Sequence, residues 1–170
     1  MSASEVESSL DVLIVGAGVA GLSLAVALGS QGFKVRVIDG APRPERPAAG
    51  REMGDWDLRV SALTPASISF LAELGAWQGI PANRTGRYHC MQIWDAQGTG
   101  SIRFDAEEVQ APFLGHIVEN RLTLQALLQC ADHCAGVEVA WGQGLESMKH
   151  TEAGWEIACS TGHRYCAPLT

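Results

Sequence analysis

Near the start of the chain, Asp11-Val12-Leu13-Ile14-Val15 is an almost continuous apolar run that ends at a glycine, the pattern of a strand covered on both faces of a parallel sheet. The turn VGAGVAG follows at once. Leu22 to Ser30 then repeats as a helix that Gly29 or Gly32 would close, and Lys34-Val35-Arg36-Val37-Ile38 alternates into a second strand ending at Asp39. Strand, helix and strand in this order predict a βαβ unit and an α/β fold with a parallel sheet. From Ala41 to Gly54, the proline-rich segment APRPERPAAGREMG has no apolar period and reads as a long loop.

Beyond the loop, Thr64 is placed to cap a helix with Pro65 at its first position, Ile68, Leu71 and Leu74 on one face, and Gly75 as its stop. Gly79 and Pro81 punctuate the chain again. Met91 and Ile93, then Ile102 and Phe104, alternate on either side of DAQGTG, which predicts a β-hairpin foreign to a simple parallel sheet. Asn120 is placed to cap a helix ending near His133, whose Leu124, Leu127, Leu128 and Ala131 face a core. Val137-Glu138-Val139-Ala140-Trp141 and Trp155-Glu156-Ile157-Ala158-Cys159 alternate as strands, and the turn Ser160-Thr161-Gly162 leads into a further one from His163 to Cys166.

Composition narrows the classes. With 170 residues, 46% hydrophobic and 18% charged, the chain can bury one ordinary core. A net charge of -7 leaves no broad basic surface to neutralise a nucleic-acid backbone, so DNA and RNA are set aside as partners. MSASEVESSL at the start is acidic and Ser-rich, unlike a secretory or transit leader, which predicts a cytoplasmic protein. No apolar run approaches the roughly 18 residues of a spanning helix, so membrane contact would be peripheral. The five cysteines form no CxxC pair, and their odd number favours free thiols. Cys130 and Cys134, beside His133, read as small core residues of a helix, and no metal site is expected.

The glycine stretch carries the chemistry. Gly16, Gly18 and Gly21 form GxGxxG between a strand and a helix, and Asp39 stands eighteen positions after the last glycine at the end of the second strand. In that context Gly16 permits the tight turn, Gly18 lets a pyrophosphate approach the backbone, and Gly21 lets helix and strand pack closely, while the acid accepts from ribose hydroxyls. These residues predict a Rossmann-like dinucleotide site. They do not separate a flavin from a nicotinamide dinucleotide. Arg121 has an argument of its own: a guanidinium in a first helical turn opposes the dipole unless an anion is near, and a pyrophosphate would be such an anion. His116, alone between Gly115 and Ile117, invites a general-base reading but has no matched acid and reads as structural.

Four segments together carry a family resemblance: VGAGVAG, the LRVSALTPAS run from Leu58, YHCMQIWD from Tyr88 to Asp95, and GHIVENRLTLQALL from Gly115. From about Asp11 to its end the chain resembles the N-terminal part of the ubiquinone-biosynthesis hydroxylases, a branch of the flavoprotein aromatic monooxygenases related to para-hydroxybenzoate hydroxylase. The resemblance implies that Gly16, Gly18, Gly21 and Asp39 bind the adenosine half of FAD, that Arg59 of RVSA lies beside the flavin, and that Arg121, opening RxxLxxxL, reaches its phosphates. It implies hydroxylation of an aromatic ring on a polyprenylated ubiquinone precursor with FAD, NAD(P)H and O2, and it assigns no catalytic residue. YHCMQIWD and GHIVEN are most similar to the enzymes that act at the ring position hydroxylated first. Peripheral contact with the inner membrane and with other ubiquinone-pathway proteins is implied as well.

By the same resemblance, residues 1–85 form the first part of an FAD-binding domain, 86–112 the first β-hairpin of a substrate domain, and 113–170 the continuation of the FAD-binding domain. The family's later GADG-type and GD segments are absent, so the expectation is a truncated member, poorly soluble or self-associating and inactive alone. Two other readings stand beside it. One is an NAD(P)-dependent Rossmann dehydrogenase, which accounts for VGAGVAG and Asp39 but leaves the hairpin and the Arg121 helix without a role. The other is a non-enzymic, truncated dinucleotide-binding fragment.

Overall fold

Eleven strands and three helices form among residues 10–45, 56–152 and 154–170, which the computed structural model describes. In chain order the strands are β1 (Val12–Val15), β2 (Val35–Asp39), β3 (Val60–Leu63), β4 (Thr85–Tyr88), β5 (Cys90–Trp94), β6 (Ser101–Asp105), β7 (Gly115–Glu119), β8 (Val137–Trp141), β9 (Leu145–Thr151), β10 (Gly154–Cys159) and β11 (Arg164–Ala167). The helices are α1 (Val19–Ser30), α2 (Pro65–Glu73) and α3 (Asn120–His133). They divide into two compact units, residues 1–50 with 124–170, and residues 51–123.

The first unit is built on the βαβ start. β1 pairs with β2 in parallel, Val12 opposite Val35 through Val15 opposite Ile38, and β8 joins the far side of β2 in parallel. Leu169 forms a parallel bridge to Val12 on the free side of β1, and its carbonyl accepts the Leu13 N–H at 3.0 Å. The apolar run becomes a strand because both of its faces are covered: Leu13, Val35, Val37 and Ile38 are essentially inaccessible. Each such side chain contributes roughly 1.5–3 kcal/mol on burial. β9, β10 and β11 form an antiparallel meander, and its Ile157, Cys159, Tyr165 and Ala167 pack with Leu13 and Ile38 in one core.

Arg36 interrupts the apolar run of β2 yet is only 6% exposed. It is accommodated by Glu138, its direct register partner on β8, to which it forms an ion pair, and by the Tyr165 ring, whose centroid lies 5.0 Å from its guanidinium carbon. A buried charge of this kind is tolerable only when so paired.

The second unit has its own sheet, order β3-β7-β4 and antiparallel throughout, with the separate hairpin β5-β6. The expected hairpin forms, with Met91 opposite Phe104 and Ile93 opposite Ile102. Ile93, Trp94, Ile102 and Phe104 are exposed. Thr64 caps α2 through a Ser67 N–H to Oγ1 bond at 3.3 Å, Pro65 opens the helix, Leu71 is buried, and Gly75 follows the helix with φ +79°.

Several expectations change. α1 begins at Val19 rather than Leu22, because the helix starts inside the glycine motif. Strands β3, β4 and β7 come from segments whose local pattern declared none, since their pairing is between residues far apart in sequence. β9, which reads LESMKHT without apolar alternation, is a strand because β10 supplies its hydrogen bonds. Antiparallel pairing gathers 60–63, 85–88 and 115–119 into one sheet of the second compact unit. Of the expected loop from Ala41 to Gly54, residues 46–54 lie outside the described residues.

A Cβ at Gly21 would stand far inside van der Waals contact distance of the Gly16 carbonyl oxygen and 3.3 Å from Ile14 Cγ2. Gly21→Ala is therefore expected to lose at least about 2 kcal/mol of stability, measured by urea denaturation, because the obstructing atoms are backbone and strand.

Candidate cofactor-binding site

The turn between β1 and α1 is shaped by its backbone. Gly16 adopts φ +104°, a conformation that side chains other than glycine rarely reach, and its N–H donates to the Ile38 carbonyl at 2.8 Å. Gly18 is extended, at φ -77° and ψ -177°, and no atom lies within 4 Å of the position where its Cβ would stand. The Leu22 N–H to Gly18 carbonyl bond, 2.9 Å, is the first of the helix, so the N–H groups of Val19, Ala20 and Gly21 have no intrahelical acceptor. The first turn holds no acidic residue and no side chain caps it. This is a concave backbone surface at the positive end of a helix dipole, open at the position that a side chain would fill, and it fits a diphosphate.

Asp39 closes the same turn from β2. Its Oδ2 accepts the Ala17 N–H at 2.7 Å and its Oδ1 accepts the Ala41 N–H at 2.8 Å. Asp39 thus holds the loop in shape, a role the sequence did not announce. Each carboxylate oxygen keeps a further lone pair for a ribose hydroxyl.

The second unit brings Arg59 and Arg121 together at the ends of β3 and β7, where Val60 is opposite Glu119. Arg59 is exposed, its N–H donates to Asp57 Oδ1 at 3.0 Å, and its carbonyl accepts the Asn120 N–H at 2.9 Å. Ser61 Oγ donates to Asn120 Oδ1 at 2.6 Å, so the residue expected to cap α3 is tied to β3. Arg121 lies in the first turn of α3 and meets an anion of the protein itself: its Nε and Nη2 lie 3.0 and 2.9 Å from Glu119 Oε2.

Glu119 was not singled out by sequence. It is 1% exposed and gathers Arg84 on Oε1, with Nε at 2.7 Å and Nη2 at 2.5 Å, and Arg121 and the Asp57 N–H on Oε2, the latter at 2.8 Å. Trp56 lies under Arg84, 4.4 Å from guanidinium carbon to ring centroid. No local pattern marks Glu119, since burial along GHIVE does not alternate, and only the pairing of β7 makes it a buried acid that requires partners.

The comparisons decide between the dinucleotides. The FAD binding domain family matches residues 9–162. The chain belongs to this family. Its relatives include Escherichia coli 3-demethoxyubiquinol 3-hydroxylase, 38% identical over 122 residues that cover 72% of this chain and 30% of the relative. Another is the Xenopus tropicalis ubiquinone biosynthesis monooxygenase COQ6, 37% identical over 121 residues that cover 69% of this chain and 25% of the relative. They place the chain among the ubiquinone-biosynthesis members of the FAD-dependent monooxygenases, and it spans between a quarter and a third of these relatives' length. Among solved structures, a Pseudomonas aeruginosa PqsL variant superposes with TM-score 0.68 at 23% identity, covering 93% of this chain and 41% of the other. Pseudomonas putida p-nitrophenol 4-monooxygenase PnpA superposes with TM-score 0.68 at 18% identity, covering 96% and 40%. These two likenesses concern the fold.

His116 is a packed histidine rather than part of an acid–base pair. Its ring meets Trp77 and Phe113 edge-on at 5.4 and 5.1 Å between centroids, and burial first, then the charge of Arg87, lower its pKa. Cys130 is a half-buried thiol whose pKa burial pushes up.

Burial pushes the Glu119 carboxyl up, but the Asp57 N–H and the guanidiniums of Arg84 and Arg121 outweigh it and hold the group below the usual glutamate range. A carboxyl lowered on folding contributes its full stability above the unfolded value of about 4.3 and loses it as pH falls through the lower folded value. Acid titration followed by near-ultraviolet circular dichroism is expected to show that loss below about pH 4. Glu119→Gln should remove this part of the pH slope.

Proposed function

We propose that the chain is the FAD-holding part of a monooxygenase that hydroxylates the aromatic ring of a polyprenylated ubiquinone precursor, with NAD(P)H and O2 as co-substrates. The observation that carries this reading is the glycine turn: an open position at Gly18, a left-handed Gly16 and an α1 N-terminus without a side-chain cap, in a chain of the FAD-binding family. When bound, FAD supplies the redox chemistry that takes electrons from NAD(P)H and transfers one oxygen atom of O2 to an electron-rich ring.

The chain's own residues bind and orient. In the first unit, backbone N–H groups from Gly18 to Gly21 receive the diphosphate and Asp39 takes the ribose hydroxyls while it keeps the loop in shape; the family resemblance assigns Arg121 to a phosphate and Arg59 to the flavin. No covalent nucleophile is required, and we assign no catalytic residue. The relatives' names support the ring of a ubiquinone precursor as the substrate class. The polyprenyl tail of such a substrate supports peripheral contact with the inner membrane and with other proteins of the pathway; no helix among the described residues is long and apolar enough to cross a membrane. A second reading, FAD binding without turnover by these 170 residues, is favoured by the exposed apolar side chains of the β5-β6 hairpin, Ile93, Trp94, Ile102 and Phe104.

The test is a visible absorption spectrum of the purified chain before and after FAD addition and dialysis. Retained flavin bands are expected, and a colourless protein that binds NAD tightly would overturn the reading. Gly18→Val is expected to weaken FAD binding by more than about tenfold, because its side chain would occupy the cradle. Unchanged flavin content in that variant would make the glycine turn merely structural.

A further inference from the structure

The face of the β3-β7-β4 sheet that carries His116 also carries a cation. Alternation along β4 puts Thr85 and Arg87 on one face, and the ladder sets Arg87 directly opposite His116 on β7, so the two side chains stand on the same side. Trp77, Ile80 and Ala82, from the two single helical turns that precede β4, complete with these three residues a cleft of about 500 Å3. That size falls within the roughly 300–1,000 Å3 of small-molecule sites. All six residues belong to the second unit.

The walls of the cleft are flat and largely apolar. Ile80 is buried, Trp77 is half-buried, and the Trp77 and His116 rings meet at 89°, which makes a corner that accepts the edge or face of a planar body. Burial and the Arg87 charge both lower the His116 pKa, so this ring is neutral at pH 7. Its Nδ1 is buried without a hydrogen-bond partner among the described residues, an imperfection that packing does not call for.

Arg87 itself is exposed and has no acid of its own. Arg84 and Arg121 share Glu119 and Arg103 pairs with Asp105, whereas no carboxylate among the described residues pairs with Arg87. Its guanidinium carbon lies 5.2 Å from the centre of the Phe113 ring, which is edge-on to His116. Stacking of this kind orders the guanidinium and leaves its N–H edge available to a planar anion, and a carboxylate matches that fork with two bonds.

We propose that this cleft is a binding site for a small free carboxylate with a flat apolar body: Arg87 receives the carboxylate, and Trp77 and Ile80 hold the body in the corner with His116. The Thr85 hydroxyl donates to the Ala82 carbonyl at 3.1 Å and ties the strand to the turn before it. With one cation and about 500 Å3, the cleft suits an acid of the size of benzoate rather than a ring that carries a long apolar tail. The site lies within one unit and needs no cofactor.

The test is an NMR titration of the purified chain with benzoate, benzamide, acetate and inorganic phosphate, followed on the Trp77 Nε1–H and His116 Cε1–H signals. Benzoate is expected to shift both signals saturably. Benzamide, which has the same shape without the charge, and acetate, which has the charge without the ring, should each bind at least about tenfold more weakly. Arg87→Met should weaken benzoate binding at least about tenfold and leave benzamide within about twofold. Arg103→Met, on the separate β5-β6 hairpin, should leave both within about twofold.

Benzamide or acetate binding as tightly as benzoate, shifts that rise without saturation, or an Arg87→Met chain that binds benzoate like the unsubstituted one would overturn the proposal. Phosphate binding as tightly as benzoate would make the cleft a site for any anion, and would overturn it as well. The comparison of benzoate with benzamide uses the unsubstituted chain, so it decides the matter even where a variant does not fold. A chain that takes up FAD but no benzoate overturns this site and leaves the function reading standing.

Discussion

The approach of α1 to the turn that precedes it is the constraint on which the first unit depends. Gly21 lies so close to the Gly16 carbonyl and to Ile14 that a single additional carbon has no room, and this contact fixes where the helix begins and how it lies on β1. Because the helix begins at Val19, its free N–H groups stand beside the turn and not several residues away. The open surface at Gly18 and the crowded one at Gly21 are therefore two sides of the same geometry.

Asp39 joins the second strand to that geometry. A carboxylate that holds both Ala17 and Ala41 by their N–H groups connects the end of β2 to the turn leaving β1, in addition to the ladder between the strands. A dinucleotide site built in this way is preorganised: its donors are held by strand pairing and by one close contact, so binding need not order them.

The second unit solves a different problem, that of keeping basic side chains ordered. A buried acid at the end of β7 gathers Arg84, Arg121 and the backbone of Asp57, and the β3-β7 ladder brings Arg59 to the same end of the sheet. Breaking one member of such a network strands the others, so its parts are stable only together.

Read from residues alone, the chain already determined its βαβ start, the α2 helix with Thr64 and Pro65 at its head, the β5-β6 hairpin and the dinucleotide character of VGAGVAG. Each of these is a local matter of periodicity, capping or backbone freedom, decided within a few residues of itself. The family resemblance to the ubiquinone-biosynthesis hydroxylases was carried by short segments in the same way. Tertiary structure decided the rest. Strands β3, β4 and β7 exist because distant segments pair, and local alternation cannot register a partner some 25 to 60 residues away, while β9, which has no alternation of its own, is drawn into a strand by its neighbour β10. Likewise Arg121 was legible as a helix-terminal cation in need of an anion, but that the protein supplies one itself, in Glu119, is fixed only when β7 delivers the acid to a dry place between two guanidiniums.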